Sequence, residues 1–257
     1  MESLKSRIKS GGTVHGCWIN LGSHVSAEII GKAGFDWTLI DLEHGAGGEA
    51  MLYHQLQALS NCPSETIVRV DEISRPKVQK ILDSGALGIM FPQIMDQEEA
   101  RSAMNTMFYP PDGVRGTAKM VRVAEFGKNF EAYRSTLKER LIGIIQIETM
   151  EAVDQVNDIA RIEGVDVLFI GPSDLTIRMG IFNQFDHPDY RNAIEKVSEA
   201  ARNAGKTAGI LLQDVSEYET YFRLGFRFLA CGADSVFVVK GAHQLCNALN
   251  VERNKFM

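Results

Sequence analysis

Leu141-Ile-Gly-Ile-Ile-Gln-Ile-Glu148 and Val165-Asp-Val-Leu-Phe-Ile-Gly-Pro-Ser-Asp174 flank the amphipathic stretch Met150–Ala160. The two apolar runs lack regular polar alternation, which suits strands covered on both faces of a parallel sheet. The segment between them has helical spacing, so the three pieces read as strand, helix, strand. Both strands end in a carboxylate. A charge at the exit of a buried strand is costly unless something pairs with it, and a divalent cation is a common partner for two such groups.

The same unit repeats outward in both directions. Strands are predicted at Val14–Asn20, Trp37–Leu42, Glu65–Val70, Gly88–Pro92, Leu141–Ile147, Val165–Ile170, Thr207–Leu211 and Phe226–Ala230. Helices are predicted at His24–Ala33, Ala50–Leu59, Arg75–Ser84, Gln97–Met107, Met150–Ala160, Tyr190–Ala204, Ser216–Leu224 and about Asp234–Leu249. Eight strand–helix units in 257 residues predict an α/β fold, a closed (β/α)8 barrel forming one domain over residues 1–257. An open doubly wound sheet is the competing topology. Gly34, Gly85, Gly164, Gly205 and Gly225 each follow an amphipathic run, where a helix end calls for positive φ. The long stretches Tyr109–Thr136 and Ile177–Tyr190 are assigned to strands four and six, on the face where a barrel binds its substrate.

Composition is that of an ordinary globular chain, 45% hydrophobic and 23% charged. A net charge of -6 argues against nucleic acid or an anionic membrane surface as partner. No apolar run approaches the roughly 18 residues of a membrane span, and the first residues lack a signal peptide's apolar core. Cys17, Cys62, Cys231 and Cys246 are scattered and read as reduced thiols. A cytoplasmic protein is expected.

Chemistry concentrates at the strand ends. Strand two ends Asp41-Leu-Glu-His44, strand three Arg69-Val-Asp71, strand four Phe91-Pro-Gln93, strand five Gln146-Ile-Glu148, and strand six Gly171-Pro-Ser-Asp174. Glu148 and Asp174 offer hard oxygen ligands to a metal such as Mg2+ or Mn2+. An α-keto acid could chelate that ion, which would then act as a Lewis acid on the enolate. Arg69 adds positive charge at the developing oxyanion. His44 is the titratable base, with Asp41 as its orienting partner. The run Gly171–Leu175 can open a helix whose N–H groups grip a carboxylate.

Rival motifs are weaker. Gly45-Ala-Gly-Gly-Glu-Ala50 fits a dinucleotide fingerprint, but it falls in the second unit, after a strand ending in Asp-Leu-Glu-His. A Schiff-base aldolase needs a desolvated lysine at a strand end. Lys206 precedes its strand and Lys240 lies in the last helical region.

The segments Gly34–His44, Pro110-Pro-Asp-Gly-Val-Arg-Gly116, Ile145-Gln-Ile-Glu-Thr149 and Phe169-Ile-Gly-Pro-Ser-Asp-Leu175 resemble the metal-dependent, class II pyruvate aldolases of the HpcH/HpaI type. The resemblance runs from about Val14 to Ala242. It implies a pyruvate/phosphoenolpyruvate-type (β/α)8 barrel whose last helix is exchanged between subunits of a hexamer. Glu148 and Asp174 would bind Mg2+, Mn2+ or Co2+. His44 with Asp41 would shuttle the proton, and Arg69 would contact the pyruvate ketone oxygen with Gln146 beside it. The backbone at Ser173 and Asp174 would hold the pyruvate carboxylate, and Asp83 would reach into a neighbouring subunit's site. The reaction implied is reversible cleavage of a 4-hydroxy-2-oxo acid to pyruvate and an aldehyde. Gly45–Gly48 and Ile177-Arg178 depart from the family pattern and border the aldehyde side. Alternatives with the same site are an oxaloacetate decarboxylase, a thioester lyase, and a non-catalytic barrel that holds metal and keto acid.

Overall fold

Eight strands pair in parallel in sequence order in the computed structural model, which describes residues 2–257. They are β1 (Val14–Ile19), β2 (Trp37–Asp41), β3 (Glu65–Arg69), β4 (Gly88–Phe91), β5 (Ile142–Ile147), β6 (Val165–Ile170), β7 (Thr207–Leu212) and β8 (Phe226–Ala233). β8 returns to β1, which closes the barrel and leaves no sheet edge. The open doubly wound alternative is thereby excluded. All five helix-ending glycines have positive φ, between 66° and 106°.

Large side chains fill the barrel interior. The ring of Trp37 stacks on Phe228 at 4.2 Å and meets Phe169 edge-on at 6.5 Å. Each such fully buried side chain contributes about 1.5–3 kcal/mol by leaving water. The bottom of this core is closed by a helix at Leu4–Lys9, capped by Ser3, which buries Leu4 and Ile8. The sequence reading missed this helix, although Ser3 and the Leu4/Ile8 spacing are its signals. A second apolar layer, including Ile145, Leu168, Ile159 and Val197, lies between strands and helices.

Three of the differences from expectation stand out. Met150–Ala160 is two short helices, Met150–Asp154 and Val156–Ala160, meeting at Gln155. β8 runs three residues further, to Ala233, and the last helix extends over Asp234–Asn254. The third difference corrects a placement. Tyr109–Thr136 does not leave strand four directly, because helix Gln97–Met107 intervenes and returns the chain to the N-terminal side of the barrel. The stretch is a helix-to-strand connection, fastened by Arg115. That side chain is 1% exposed, pairs with Asp83 at 2.6 Å, bonds the Tyr133 hydroxyl at 2.8 Å and lies over the Tyr109 ring.

The helix Asp234–Asn254 projects from the barrel with only Asp234 buried. The Asp234 carboxylate fixes its direction by accepting the Asn20 N–H at 2.9 Å and the Ser26 hydroxyl at 2.6 Å. Among the described residues no helix is long and apolar enough to cross a membrane.

Candidate active site

The β5 exit delivers Glu148 into a fully buried position beside the β6 exit. Its Oε1 accepts the Gln93 N–H at 2.7 Å, and its Oε2 accepts a short bond from Gln146 Nε2. Burial pushes the Glu148 pKa up to about 7. The Gln93 N–H and Arg69 oppose that rise, while the like charges of Asp174 and Glu43 add to it. Each carboxylate oxygen keeps a second lone pair for a further partner. Gln146 Oε1 is buried with no hydrogen-bond partner among the described residues. An orphaned acceptor beside a crowded carboxylate is what a cation and its ligands would satisfy.

Arg69 occupies the middle of this negative field at 8% exposure. Its Nε and Nη2 donate to the two Asp41 oxygens at 2.9 and 2.8 Å, and its Nη1 faces Glu43 at 3.0 Å. Burial works against its charge, but the Asp41 bonds and the Asp41, Glu43 and Glu148 charges outweigh it and hold its pKa above the usual value. A guanidinium has five N–H donors, so two remain uncommitted. Glu43 is itself pushed up by burial, in spite of Arg69.

This arrangement corrects one expectation. Asp41 does not orient the His44 ring. It is consumed by Arg69 and by the backbone N–H groups of Glu43 and His44, at 3.1 and 3.3 Å. The carboxylate near the ring is Glu43, 3.9 Å from His44 Nε2. The His44 side chain is largely exposed at the mouth.

After β6 the chain turns through Gly171 into the helix Pro172–Arg178, with proline in its first turn and no side-chain cap. The first-turn N–H groups of Ser173 and Asp174 therefore point outward without intrahelical acceptors. A cavity of about 220 Å3 opens here, with Trp18, His44, Arg69, Gln146, Ser173 and Asp174 on its walls. Gly171 makes the packing possible: a Cβ there would stand 2.4 Å from Glu148 Oε2 and 2.7 Å from Gln146 Nε2. Its backbone, φ -95° and ψ 91°, suits any residue. Gly171→Ala is expected to leave the fold intact but displace the carboxylate. Divalent-cation affinity should then fall by about tenfold or more. Calorimetric Mn2+ titration checks this, and an affinity equal to wild type would contradict it.

The donor set fits a divalent metal. Two carboxyl groups, Glu148 just past β5 and Asp174 in the first turn of the helix after β6, feel each other's charge, with a buried amide oxygen unpaired beside Glu148 among the described residues. Among the described residues no group of three or more His, Cys, Asp or Glu could enclose an ion. Two carboxylates with open positions beside them suit a hard cation that keeps water and substrate oxygens.

The family profile described as HpcH/HpaI aldolase/citrate lyase matches residues 15–240. The chain belongs to this family. It is 37% identical over 247 residues to the hydroxypyruvate/pyruvate aldolase of Paraburkholderia phytofirmans, covering 94% of this chain and 95% of that protein. It is 34% identical over 253 residues to the 4-hydroxy-2-oxo-heptane-1,7-dioate aldolase of Salmonella dublin, covering 98% and 96%. The crystal structure of a family member from Burkholderia cenocepacia matches with TM-score 0.90 at 35% identity, over 96% of this chain and 98% of that one. The resemblance carried by the four motifs is thus borne out, and with it the barrel and an enzyme of the aldolase type.

Within this HpcH/HpaI chain the remaining residues fall into place. The glycine-rich run after β2 packs the loop of β2 on the loop of β1. A Cβ on Gly47 would meet Gly22 Cα at 2.5 Å, and Ala46 N–H donates to Asn20 O at 2.8 Å. That close approach accounts for the glycines without a dinucleotide. Asp83 ends the helix Arg75–Asp83 and serves as the counter-ion of Arg115 in its own chain. Lys206 precedes β7 and Lys240 lies on the exposed last helix. Gln93 was legible as a strand-end residue, but its backbone bond to Glu148 was not. Trp18, on the cavity wall, gave no signal beyond its place in an apolar run.

Proposed function

We propose that the chain is a divalent-metal-dependent aldolase that reversibly cleaves a 4-hydroxy-2-oxo acid to pyruvate and an aldehyde. The observation that carries this reading is the crowding of Asp41, Glu43 and Glu148 around Arg69, with Asp174 beside Glu43 and Glu148. Four carboxyl groups against one guanidinium leave a surplus of negative charge that a cation would neutralise. The relatives' names, aldolases of a hydroxy-oxo diacid and of hydroxypyruvate or pyruvate, point the same way.

Glu148 and Asp174 would hold Mg2+, Mn2+ or Co2+. When bound, such an ion supplies Lewis-acid polarisation of the keto oxygen. The rest falls to the chain's own groups. The outward N–H groups of Ser173 and Asp174 hold the keto acid's carboxylate. The uncommitted N–H groups of Arg69 face the keto oxygen, where negative charge develops. Gln146 flanks that oxygen. His44 takes the C4 hydroxyl proton as the C3–C4 bond breaks, the bonding electrons pass to the keto acid fragment, and a proton returned to C3 completes pyruvate. Four free cysteines support a cytoplasmic location.

The test is turnover of a 4-hydroxy-2-oxo acid by purified protein, followed as pyruvate release. Addition of Mg2+, Mn2+ or Co2+ should support it, and excess chelator should lower it by at least about a hundredfold. Chelator-resistant turnover would refute the metal's role, and faster turnover of oxaloacetate would favour the decarboxylase.

We also propose a homo-oligomer, a hexamer by family resemblance, in which the last helix is exchanged. Val238, Ala242, Leu245 and Leu249 form an apolar stripe along that exposed helix. Val25, Ile29 and Phe222 stand exposed on the flanking helices His24–Gly31 and Tyr218–Arg223 of the barrel. Leu245→Asp with Leu249→Asp is expected to break the assembly into smaller species by light scattering. A monomeric wild type, or an unchanged mass for the variant, would contradict this.

A further inference from the structure

The N-terminal end of the barrel, opposite the candidate active site, carries a cleft of about 380 Å3 between helix Leu4–Lys9 and helix Gln97–Met107. Its lining holds five cationic side chains and three acidic ones, in a chain whose net charge is -6. The acidic groups are already paired. Asp166 lies 2.8 Å from Lys5 Nζ, while Asp112 and Glu163 lie 2.8 and 3.0 Å from Lys138 Nζ. Lys9, Arg101 and Lys206 line the same cleft with no carboxylate partner among the described residues.

Lys5 stands at the cleft wall at 4% exposure. Two of its three donors go to Asp166 and the Leu141 carbonyl, so one remains. Burial lowers its pKa, and the charges of Lys9 and Lys206 add to that against the pull of Asp166, which places the three ammonium groups in one electrostatic neighbourhood. Met104, Phe108 and Ile162 supply an apolar wall. A concave site with unpaired cations on an apolar floor selects an anion with a carbon body. Nothing in the aldolase chemistry uses these residues.

We propose that this cleft is a second ligand site, one that takes a small organic anion bearing two or more phosphate or carboxylate charges. The test is calorimetric titration of the full chain, stripped of metal and dialysed into chelator-free buffer, with ADP, with citrate and with inorganic pyrophosphate. At least one organic anion should bind one per chain, more tightly than pyrophosphate, and more weakly as salt rises. ADP alone would name the phosphate class, citrate alone the carboxylate class. The Lys9→Gln, Arg101→Gln, Lys206→Gln variant should weaken binding by at least about tenfold while pyruvate-forming turnover stays at wild type. Glu148→Gln, which alters the active site, should bind as wild type does. No binding, binding unaffected by the triple variant, or binding lost in Glu148→Gln would each overturn the proposal.

Discussion

Glu148→Gln is expected to abolish metal-dependent turnover and, at the same time, to make the metal-free protein more stable above neutral pH. The two effects come from one physical cause. In the metal-free fold the carboxyl group is fully buried beside Asp174, and its pKa is about 7, against an ordinary 4.5. A raised folded value means that the native state holds this proton more tightly than the unfolded chain does. Stability therefore falls as pH rises from about 4.5, and the full cost, about 3 kcal/mol, is reached above about 7. Glutamine carries no charge and keeps an oxygen for the Gln93 N–H. In chelator at pH 8 the variant should melt roughly 5–10 °C above wild type, and at pH 4.5 the two should coincide. Added Mn2+ should raise the wild-type melting temperature at pH 8 and leave the variant unmoved. A variant that is less stable than wild type at pH 8, or that still binds Mn2+ at wild-type affinity, would contradict the assignment.

Arg69→Ala should have the other large effect. Asp41, 3% exposed, and partly buried Glu43 would both lose their counter-charge. Removing one partner of a buried pair costs about 3–5 kcal/mol. Loss of the donor at the keto oxygen should lower kcat by about a hundred- to a thousandfold. Divalent-cation affinity should move the opposite way, because removing a positive charge next to Glu148 deepens the negative field. Arg69→Lys keeps the charge but not the fork that spans both Asp41 oxygens, so it should fold and still lose most of kcat. If cation affinity fell along with kcat in Arg69→Ala, the arginine would be supporting the metal site and not acting at the substrate oxygen. Urea unfolding, Mn2+ titration and steady-state kinetics on the two variants separate these outcomes.

The strands were readable because parallel barrel strands are buried on both faces, so β5 and β6 appear as largely apolar runs without regular polar alternation, with Glu148 just past the first and Asp174 four residues past the second, in the helix Pro172–Arg178. The helix ends were readable from glycines. What escaped was whatever depends on register or on distant packing. Asp41 and His44 are three residues apart, which suggested a dyad. The parallel register sets Asp41 directly opposite Arg69 on β3, and a guanidinium at 2.8 Å outcompetes a ring that points to solvent. No local pattern announces a cross-strand partner 28 residues away. The course of Tyr109–Thr136 escaped for a related reason. It has little periodicity of its own and is held by the buried Arg115 between Tyr109, Tyr133 and Asp83, residues that meet only in the folded chain. Glu43 was visible in the Asp-Leu-Glu-His run, but only the fold shows that it, not Asp41, stands beside His44.

The most direct measurement is a crystal structure of the protein soaked with Mn2+, with the ion located by its anomalous scattering. One ion is predicted at the C-terminal mouth of the barrel, with Glu148 Oε and Asp174 Oδ both within about 2.6 Å of it. An ion bound elsewhere, or one touched by only one of these two carboxylates, would contradict the account.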